Sequence, residues 1–308
     1  MTRSLHPLAT LPAGWRTRFA PAPTGHLHLG HAVNAVYVWG LARAFGGQVT
    51  LRIEDHDRTR SRPEYERGIL DDLDWLGLVP DIGDTASFRT GPHPQRQSDN
   101  AARYEAALEQ LDGAGLVYAC DCSRRDMAQE VPDVFGEEMC YTGRCRARGV
   151  DKSAVKARRV VMSPGTERFD DLRLGPQVQE PADQCGDLLV RDRLGQWTYQ
   201  FAVVVDDMAQ GIDVVIRGED LLQSSGRQIR LGRLLGRARP PLFLHHPLLI
   251  RPDGSKLSKS AGDTGIRELR AGGATAASVL GQAAALAGLV ESGRALPADA
   301  LASLFVET

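Results

Sequence analysis

A strand, a tight loop and the start of a helix follow one another in the stretch RTRFAPAPTGHLHLGH, residues 16–31. Residues 16–20 have the composition of a short strand, which must end where two prolines remove backbone donors. The apolar, alanine- and valine-rich residues 29–45 predict a helix closed by two glycines. A second strand is predicted over residues 49–53, so the pattern is the strand, helix, strand unit of a parallel α/β sheet.

The pattern further along the chain predicts that this sheet is split by an insertion. Helical spacing over residues 64–76 and 100–111 completes the first half of the domain. A cysteine-, arginine- and glycine-rich stretch with little periodicity follows, and regular α/β patterning then returns. The last part is rich in alanine and leucine and predicts a short helical tail. The expected parts are residues 1–111, the insertion 112–195, the second half 196–262 and the tail 263–308.

Composition limits the classes of function. The 308 residues carry a formal net charge of -2, which excludes a uniformly basic nucleic-acid coat. A polyanionic partner would therefore need a local basic patch, and two such patches occur, over residues 144–159 and 227–239. A solvated surface is the alternative interpretation of each patch.

The sequence gives no signal for export or membrane insertion. It has no apolar run of the roughly 18 residues that a membrane span requires and no signal-peptide pattern, so a cytoplasmic location is expected. Five cysteines are present, and four of them lie between residues 120 and 145. In a cytosolic chain such a cluster favours a metal site over disulfides.

The motif His28-Leu29-Gly30-His31 predicts a phosphate site. Prolines and glycines before it fix a turn and a helix begins within it, so backbone N–H groups and two imidazoles converge on one point. Gly30 is expected to be required because a side chain there would obstruct a base or ribose stacked on the helix start. The alternative interpretation is that His28 and His31 are ordinary helix caps or zinc ligands.

A second motif, KLSKS, follows at residues 256–260, 228 positions after His28. Its lysines, Lys256 and Lys259, lie in a glycine- and serine-rich stretch where they can follow the charge that develops as pyrophosphate leaves the α-phosphorus. Together, and in this order, the two motifs predict an enzyme that works on the α-phosphate of ATP.

Five ordered motifs resemble the catalytic core of the class I glutamyl-tRNA synthetases. They are residues 18–31, 52–55, 204–207, 216–220 and 256–260, within a resemblance that spans residues 16–262. The resemblance implies an α/β fold with a class I aminoacyl-tRNA synthetase-like Rossmann (HUP-type) parallel sheet, split by the insertion. It also implies that the chain uses ATP, with Mg2+, to activate L-glutamate as glutamyl-adenylate.

A site for free glutamate needs one fixed anion for the ammonium group and cations for the two carboxylates. Glu54 supplies the anion, and Arg18 and Arg217 supply planar forks whose division between the carboxylates is open. The resemblance adds Tyr199 as a substrate contact. An ion pair between Arg217 and Glu54 and a purely structural Tyr199 are the alternative interpretations. The resemblance thus implies L-glutamate contacts at Arg18, Phe19, Ala20, Pro21, Ala22, Glu54, Tyr199 and Arg217, and ATP contacts at His28, Gly30, His31 and Lys259.

Two positions in the matching region depart from the family. Ala22 stands where related enzymes commonly have serine, and Val203 stands where the longer enzymes often have asparagine. The share of these two positions in substrate binding is therefore open.

The four clustered cysteines predict a closed, tetrahedral and therefore structural zinc site. They are arranged as Cys120-x-Cys122 and Cys140-Tyr141-x3-Cys145. Ligand chemistry favours Cys140 over Tyr141 as the fourth ligand, because a phenol has an ordinary pKa of about 10. The pattern also resembles the zinc site of truncated members of the family, the glutamyl-Q tRNA(Asp) synthetases, which implies Cys120, Cys122, Tyr141 and Cys145.

The resemblance to the truncated members also implies an acceptor. Only residues 261–308 follow the lysine motif, fewer than the anticodon-binding region of a glutamyl-tRNA synthetase requires. Activation without tRNA is then expected, followed by transfer of glutamate to the queuosine base at the wobble position of tRNA(Asp). The insertion and the two basic patches are expected to hold the anticodon stem-loop, and a monomer suffices.

Three other functions stay open from the sequence. A short glutamyl-tRNA synthetase core would charge the 3′ end of tRNA(Glu), which the short tail and the cysteine and tyrosine cluster disfavour. A small-molecule adenylyltransferase would have no need of Glu54, Tyr199 and Arg217 together. A non-catalytic RNA-binding module would have no need of intact histidine and lysine motifs.

Overall fold

The computed structural model describes residues 5–123, 125–127, 140–248 and 265–306. The first part of the chain contains α1 (His6–Ala9), β1 (Arg16–Phe19), α2 (Leu29–Ala44), β2 (Gln48–Leu51), α3 (Pro63–Leu76), α4 (Thr85–Phe88) and α5 (Ala101–Gly113). The middle part contains β3 (Val117–Ala119), α6 (Arg144–Arg148), β4 (Arg158–Val160), β5 (Glu167–Asp171), β6 (Gly175–Gln179), α7 (Pro181–Cys185) and β7 (Leu188–Arg191). The last part contains α8 (Tyr199–Ala209), β8 (Val214–Gly218), α9 (Ser225–Leu234), β9 (Leu242–His246), α10 (Ile266–Ala271) and α11 (Ala276–Leu286).

The predicted strand, helix, strand unit is present in the first part of the chain. Strands β1 and β2 pair in parallel, with Arg16 opposite Gln48 and Phe19 opposite Leu51. Helix α2 connects them and ends where Gly46 adopts a left-handed conformation with φ of 68°. A helical connection between adjacent parallel strands is the βαβ unit that the sequence pattern predicts.

A second set of parallel strands, in the last part of the chain, lies beside this unit. The backbone N–H of Asp213 donates to the carbonyl of Arg16 at 2.9 Å, which sets β8 beside β1. Strand β9 pairs in parallel with β8 on one side and with β5, through Asp171 opposite Phe243, on the other. The parallel pairs confirm the α/β prediction.

Strands from the predicted insertion lie in two different sheets. Strands β3, β4 and β7 form an antiparallel sheet of their own. Strands β5 and β6 instead extend the sheet of β8 and β9, with β6 at its edge. The range 112–195 therefore contributes both a separate layer and part of the parallel sheet that carries the site.

Helix α2 is buried along most of its length, from Ala32 to Ala42. The described part of the tail explains this burial, because α11 and the 3-10 segment Ala298–Leu304 pack directly on α2. A helix covered on all sides carries no polar stripe, in agreement with the apolar composition that the sequence shows. The tail thus completes the core under the first motif.

Helix α8 contains an apolar run, residues 201–205, that packs in a second core with α5 and α9. It begins at Tyr199, directly after the β7 hairpin region, and ends near two acidic residues, Asp206 and Asp207. Among the described helices, none combines the length and the apolar character needed to cross a bilayer.

Candidate active site and metal site

The two histidines of the first motif cap helix α2. The ring Nδ1 of His28 accepts from the backbone N–H of Gly30 at 3.1 Å, and the backbone N–H of His28 donates to Nδ1 of His31 at 3.2 Å. Both Nδ1 atoms are acceptors, so the neutral rings carry their protons on Nε2 as donors. The cap interpretation is therefore correct, and it also holds two imidazole donors at the positive end of a sixteen-residue helix.

The structure gives a reason for glycine at position 30 that the sequence did not reveal. A Cβ atom at this position would lie 2.8 Å from Cε1 and 3.0 Å from Nδ1 of the His28 ring. A side chain at Gly30 would displace the imidazole that caps α2, whatever ligand lies above it.

The chain returns to the first motif directly after residues 249–264. Gly265 forms an antiparallel β-bridge with His28, and the backbone N–H of Ile266 donates to the carbonyl of Leu27 at 2.9 Å. Before this range, the ring of His246 stacks on Tyr37 of α2 at a centroid distance of 5.1 Å. Lys256 and Lys259 lie within residues 249–264, outside the described part of the chain, but both flanks of that range contact α2 or its first turn.

A buried charge network occupies the carboxyl ends of β1 and β2. Arg52 is fully buried, and its guanidinium contacts Oε1 of Glu54 at 2.9 Å and Oδ1 of Asp207 at 2.7 Å. Arg18 contacts the same Asp207 oxygen at 3.3 Å. Burial opposes the charge of Asp207, but Arg52 and Arg18 outweigh it and hold the pKa of this carboxyl below its ordinary value.

This network gives Glu54 a partner different from the one that the alternative interpretation assumed. Arg52, two residues earlier in the chain, is the cation that pairs with Glu54, so a structural ion pair between Glu54 and Arg217 is wrong. Arg52 donates to Oε1 of Glu54 through both Nε and Nη2. Sequence reasoning assigned no role to Arg52 or Asp207, although the acidic pair that ends the apolar run of α8 was a usable signal.

Arg217, at the end of β8, is buried among uncharged partners. Its Nε lies 3.0 Å from Nε2 of His245, Nη1 donates to Gln228 at 2.7 Å, and Nη2 donates to Ser225 at 2.9 Å. Burial lowers the pKa of Arg217, and the nearby Tyr199 phenol and Asp207 carboxylate partly offset that effect. Arg217 thus carries a charge that no described carboxylate pairs with directly.

Tyr199 lies near the charged residues of the predicted glutamate site. Burial raises the pKa of its phenol, and the charges that act on it next are those of Arg217, Glu54 and Arg18. The structure therefore brings together the four side chains that the sequence singled out for L-glutamate.

The loop from Phe19 to Ala22 runs beside this site. The carbonyl of Phe19 accepts from the backbone N–H of Arg52 at 3.0 Å, and the carbonyl of Pro21 accepts from that of Glu54 at 3.1 Å. The ring of Phe19 is buried against Trp39 at a centroid distance of 5.3 Å, so its side chain belongs to the core. The carbonyl of Ala22 accepts from Thr24 in a tight turn at 2.8 Å.

Three thiols converge in the middle part of the chain. The sulfur atoms of Cys120, Cys122 and Cys145 lie within 4.8 Å of one another. The hydroxyl of Tyr141 lies 3.6 Å from the sulfur of Cys120 and accepts from the backbone N–H of Cys145 at 2.8 Å. Three sulfur donors at one point suit a tetrahedral metal site, and the phenol oxygen of Tyr141 lies beside them.

Arg159 favours the thiolate form of Cys120. Its Nε lies 3.3 Å from the sulfur of Cys120, and its guanidinium stacks on the ring of Tyr141 at 3.6 Å. Burial raises the pKa of the Cys120 thiol, but Arg159 outweighs it and the net pKa is lowered. At Cys122, burial and the hydrogen bond with Cys145 raise the pKa to about 12.

Cys140 and Tyr141 take different positions relative to the three thiols. The sulfur of Cys140 lies 3.9 Å from the carbonyl of Ala182, outside the group of three. Tyr141 is held by Gly186, which forms a β-bridge with it and has φ of 63°. A Cβ at Gly186 would lie 1.8 Å from the carbonyl oxygen of Tyr141, so only glycine permits this close approach.

The two basic patches differ in the structure. In the second patch, Arg230 and Arg233 both pair with the buried Glu167, and Arg227 is itself buried. Arg237 donates to the carbonyl of Ile212. Most of the second patch therefore holds α9 against the sheet, and its contact with RNA stays a prediction.

The first patch retains exposed cations beside the thiol cluster. Lys156 is exposed and lines an open cavity of about 440 Å³ together with Arg158 and Arg191. A neighbouring cavity of about 230 Å³ is lined by Lys156, Arg193 and Cys120. Other members of the patch form ion pairs, including Arg146 with Asp187, Arg148 with Asp121 and Lys152 with Asp112.

Comparisons with known proteins agree with this architecture. The family model for tRNA synthetases class I (E and Q), catalytic domain, matches residues 15–283. The glutamyl-Q tRNA(Asp) synthetase of Nitratidesulfovibrio vulgaris is 41% identical over 287 residues, covering 89% of this chain and 87% of the relative. Glutamate–tRNA ligase 2 of Syntrophus aciditrophicus is 38% identical over 288 residues, covering 91% of this chain and 58% of the relative.

A solved structure gives the same result at the level of the fold. The glutamate-tRNA synthetase from Elizabethkingia anophelis superimposes with a TM-score of 0.77 at 27% identity, covering 95% of this chain and 66% of that one. The chain therefore belongs to the class I (E and Q) tRNA synthetase family, a family of ligases, and its similarity over most of both sequences groups it with the glutamyl-Q tRNA(Asp) synthetases.

Proposed function

We propose that the chain activates L-glutamate with ATP, without tRNA, and transfers the glutamyl group to the queuosine base at the wobble position of tRNA(Asp). The observation that carries the proposal is the buried Arg217, held by uncharged groups next to Tyr199, Arg18 and Glu54. A buried guanidinium without a carboxylate partner is costly unless a ligand supplies the anion. Glutamate supplies two carboxylates and one ammonium group.

Each charge of glutamate has a partner of opposite sign in this site. Oε2 of Glu54 accepts from the ammonium group, since Arg52 takes the other oxygen. Arg18 uses Nε on Asp207 and Nη1 on the carbonyl of Ile216, which leaves Nη2 for one carboxylate. Arg217 takes the other carboxylate, with the Tyr199 hydroxyl beside it.

We expect the triphosphate of ATP to bind at the start of α2. The Nε2–H groups of His28 and His31 can donate to phosphate oxygens at the positive end of α2, and Gly30 leaves the histidine cap in place. Lys256 and Lys259 are the proposed lysine contacts of the triphosphate, and the described residues on both sides of 249–264 contact α2 or its N-cap residue. The carboxylate of glutamate attacks the α-phosphorus, pyrophosphate leaves, and no side chain acts as a nucleophile. Mg2+ accompanies ATP in this proposal.

A zinc ion is proposed at the thiol cluster, with Cys120, Cys122, Tyr141 and Cys145 as its ligands. Three convergent sulfur atoms fit zinc, and the position of Tyr141 rather than Cys140 beside them supports the tyrosine as the fourth ligand. A closed site of this kind would fix the antiparallel layer of β3, β4 and β7 and would take no part in the reaction.

The anticodon stem-loop is proposed to bind at the first basic patch. Lys156 of this patch and Arg193 beside it are exposed, and Arg158 donates to backbone carbonyls rather than to carboxylates. Such cations can neutralise phosphates, which provides most of the affinity for nucleic acid. The second patch is not part of this proposal, because its arginines mostly hold the fold.

A second candidate function is charging of tRNA(Glu) at its 3′ end. It is favoured by the 38% identity to glutamate–tRNA ligase 2 of Syntrophus aciditrophicus, although this chain covers only 58% of that protein. The two functions share the activation step and differ in the acceptor.

Charging with labelled glutamate separates the two functions. The protein, ATP and label are incubated with tRNA(Asp) containing queuosine, with the same tRNA lacking the modification, and with tRNA(Glu). The proposal expects label only on the queuosine-containing tRNA(Asp). Label on tRNA(Glu), or equal label on both forms of tRNA(Asp), would refute the proposed acceptor.

A further inference from the structure

His245, which contacts Arg217, forms a buried pair with Asp171. Both side chains are inaccessible to solvent, and Nδ1 of His245 lies 2.7 Å from Oδ2 of Asp171. The same carboxylate oxygen accepts from the backbone N–H of His245 at 3.0 Å. Its other oxygen accepts from the backbone N–H groups of Arg173 at 3.0 Å and Leu174 at 2.8 Å. Four hydrogen bonds thus hold the Asp171 carboxylate at the point where β5 pairs with β9.

The direction of the hydrogen bonds fixes the tautomer of His245. A guanidinium Nε–H can only donate, so Nε2 of His245 must accept at the 3.0 Å contact with Arg217. The proton of the neutral ring then lies on Nδ1 and is donated to Asp171. His245 is therefore an uncharged acceptor, held in one orientation by a buried carboxylate that does not itself contact Arg217.

The two Nη atoms of Arg217 have acceptors of their own. Gln228 accepts from Nη1, while Ser225 and the carbonyl of Leu221 accept from Nη2. His245 is the acceptor at Nε, so its loss would remove the hydrogen bond at that edge and give the guanidinium more freedom to rotate about its last side-chain bonds. A ligand carboxylate would then meet a guanidinium that must first be ordered, at a cost in affinity.

We propose that Asp171 and His245 are positioning residues that hold the Arg217 guanidinium in the orientation that receives a carboxylate of the substrate. The proposal rests on the proposed function, since it concerns the glutamate site of that reaction. It predicts an effect on the binding of glutamate and only a small effect on the binding of ATP.

Two substitutions of His245 test the role of its acceptor. His245→Phe keeps a ring of similar size and removes the acceptor, whereas in His245→Gln the carboxamide oxygen can accept from Arg217 and its N–H can donate to Asp171. In ATP–pyrophosphate exchange by the full chain, we expect His245→Phe to raise the KM for glutamate by about 10- to 100-fold, the value of one hydrogen bond to a charged group. The KM for ATP should change by less than about threefold, and His245→Gln should recover most of the loss.

His93→Phe is the matched control. His93 is also a buried histidine, and its ring contacts Ser87 at 3.0 Å and stacks on Phe88 instead of contacting Arg217. This variant should keep the KM for glutamate within about threefold of the original protein, as expected for a change that leaves the substrate site intact. An unchanged glutamate KM in His245→Phe, or equal rises in the KM values of both substrates, would overturn the proposal.

Crystal structures of the two His245 variants test the positioning without any substrate. The Arg217 guanidinium should take a different orientation in His245→Phe and keep the original one in His245→Gln. An unchanged guanidinium orientation in His245→Phe would refute the role of the pair. This result is independent of the reaction. If exchange by the original protein did not depend on glutamate, the proposed function would fail, and the structures would still decide whether His245 orients Arg217.

Discussion

His28 and Gly265 form an antiparallel β-bridge, which joins the histidine motif to the residue that follows the range containing the lysine motif. On the other side of residues 249–264, the ring of His246 stacks on Tyr37 of α2. The described residues on both sides of that range therefore contact α2 or its N-cap residue, which agrees with the proposal that the two motifs bind one triphosphate.

Replacing Lys259 with alanine should remove a cation that stabilises the departing charge at the α-phosphorus. We expect Lys259→Ala to lower the rate of glutamate-dependent exchange by about 100- to 1000-fold, as for the loss of one preorganised electrostatic contact. The metal content should stay equal to that of the original protein, because the thiol cluster lies in another part of the chain. Exchange within tenfold of the original rate would show that Lys259 is not a phosphate contact.

The substitution Asp207→Asn should destabilise the protein by about 3 kcal/mol at pH 7, because it removes a buried carboxylate that pairs with Arg52 and Arg18. The pKa of Asp207 is lowered in the folded state, so its contribution is present above the ordinary Asp pKa of about 3.9 and is lost as the pH falls through the folded value. Urea unfolding at pH 7, 5 and 3 should show a difference between the two proteins that persists to pH 5 and shrinks at pH 3.

Asp71→Asn is the control for this prediction. Asp71 pairs with Arg89 at 2.8 Å, but its side chain is 63% exposed. Loss of such a pair should cost less than about 1 kcal/mol. Equal destabilisation by the two substitutions would contradict the central position of Asp207 in the charge network.

Sequence reasoning found the charged residues of the candidate glutamate site but not those that hold them. Arg18, Glu54 and Arg217 stand in recognisable motifs, because glutamate requires charges of those signs. Arg52 and Asp207 pair only after β1, β2 and α8 have come together, and no local spacing encodes that contact. The role of His245 depends in the same way on the neighbouring strand β5, which lies more than 70 positions earlier in the chain.

Metal content separates the two candidates for the fourth ligand of the thiol cluster. Cys140→Ala should retain zinc, because the sulfur of Cys140 faces the carbonyl of Ala182. Tyr141→Phe should lose affinity for zinc, since it removes the oxygen next to the sulfur of Cys120. Elemental analysis of the purified variants provides the measurement. Loss of zinc only in Cys140→Ala would show that Cys140 is the ligand.

Gly186→Ala should have the same effect as loss of a ligand, although residue 186 offers no donor side chain. Its Cβ would lie 1.8 Å from the carbonyl oxygen of Tyr141, so the backbone that carries the phenol would have to move. We expect a reduced zinc content and a lower Tm. Gly149→Ala is a control, since Gly149 also has a positive φ but has open space around a Cβ. An unchanged zinc content in Gly186→Ala would contradict the role of Tyr141.

The double substitution Lys156→Ala with Arg193→Ala should weaken binding of tRNA(Asp) by roughly tenfold at physiological salt and reduce the slope of log K against log salt by about 1 to 2. Arg239→Ala, an exposed residue of the second patch, is the matched control and should leave both quantities unchanged. Fluorescence anisotropy with labelled RNA over a salt series gives the comparison. A larger effect from Arg239→Ala would indicate that the RNA binds at the second patch.

The two basic patches show why composition alone does not define an interface. Both look alike in sequence, with several arginines or lysines in a short range. Only the fold brings Glu167 of β5 against Arg230 and Arg233 of α9, which pair with it. Lys156 and Arg193 form no ion pair with a carboxylate in the described part of the chain.

The central claim is that one chain holds a complete glutamate-activating site. Its most direct test is ATP–pyrophosphate exchange by RNA-free protein, measured with L-glutamate, L-glutamine, L-aspartate or no amino acid. The buried Arg217, Arg18 and Glu54 predict exchange that requires glutamate and proceeds without RNA. Exchange that is equal without an amino acid, or that appears only when tRNA is added, would contradict the account.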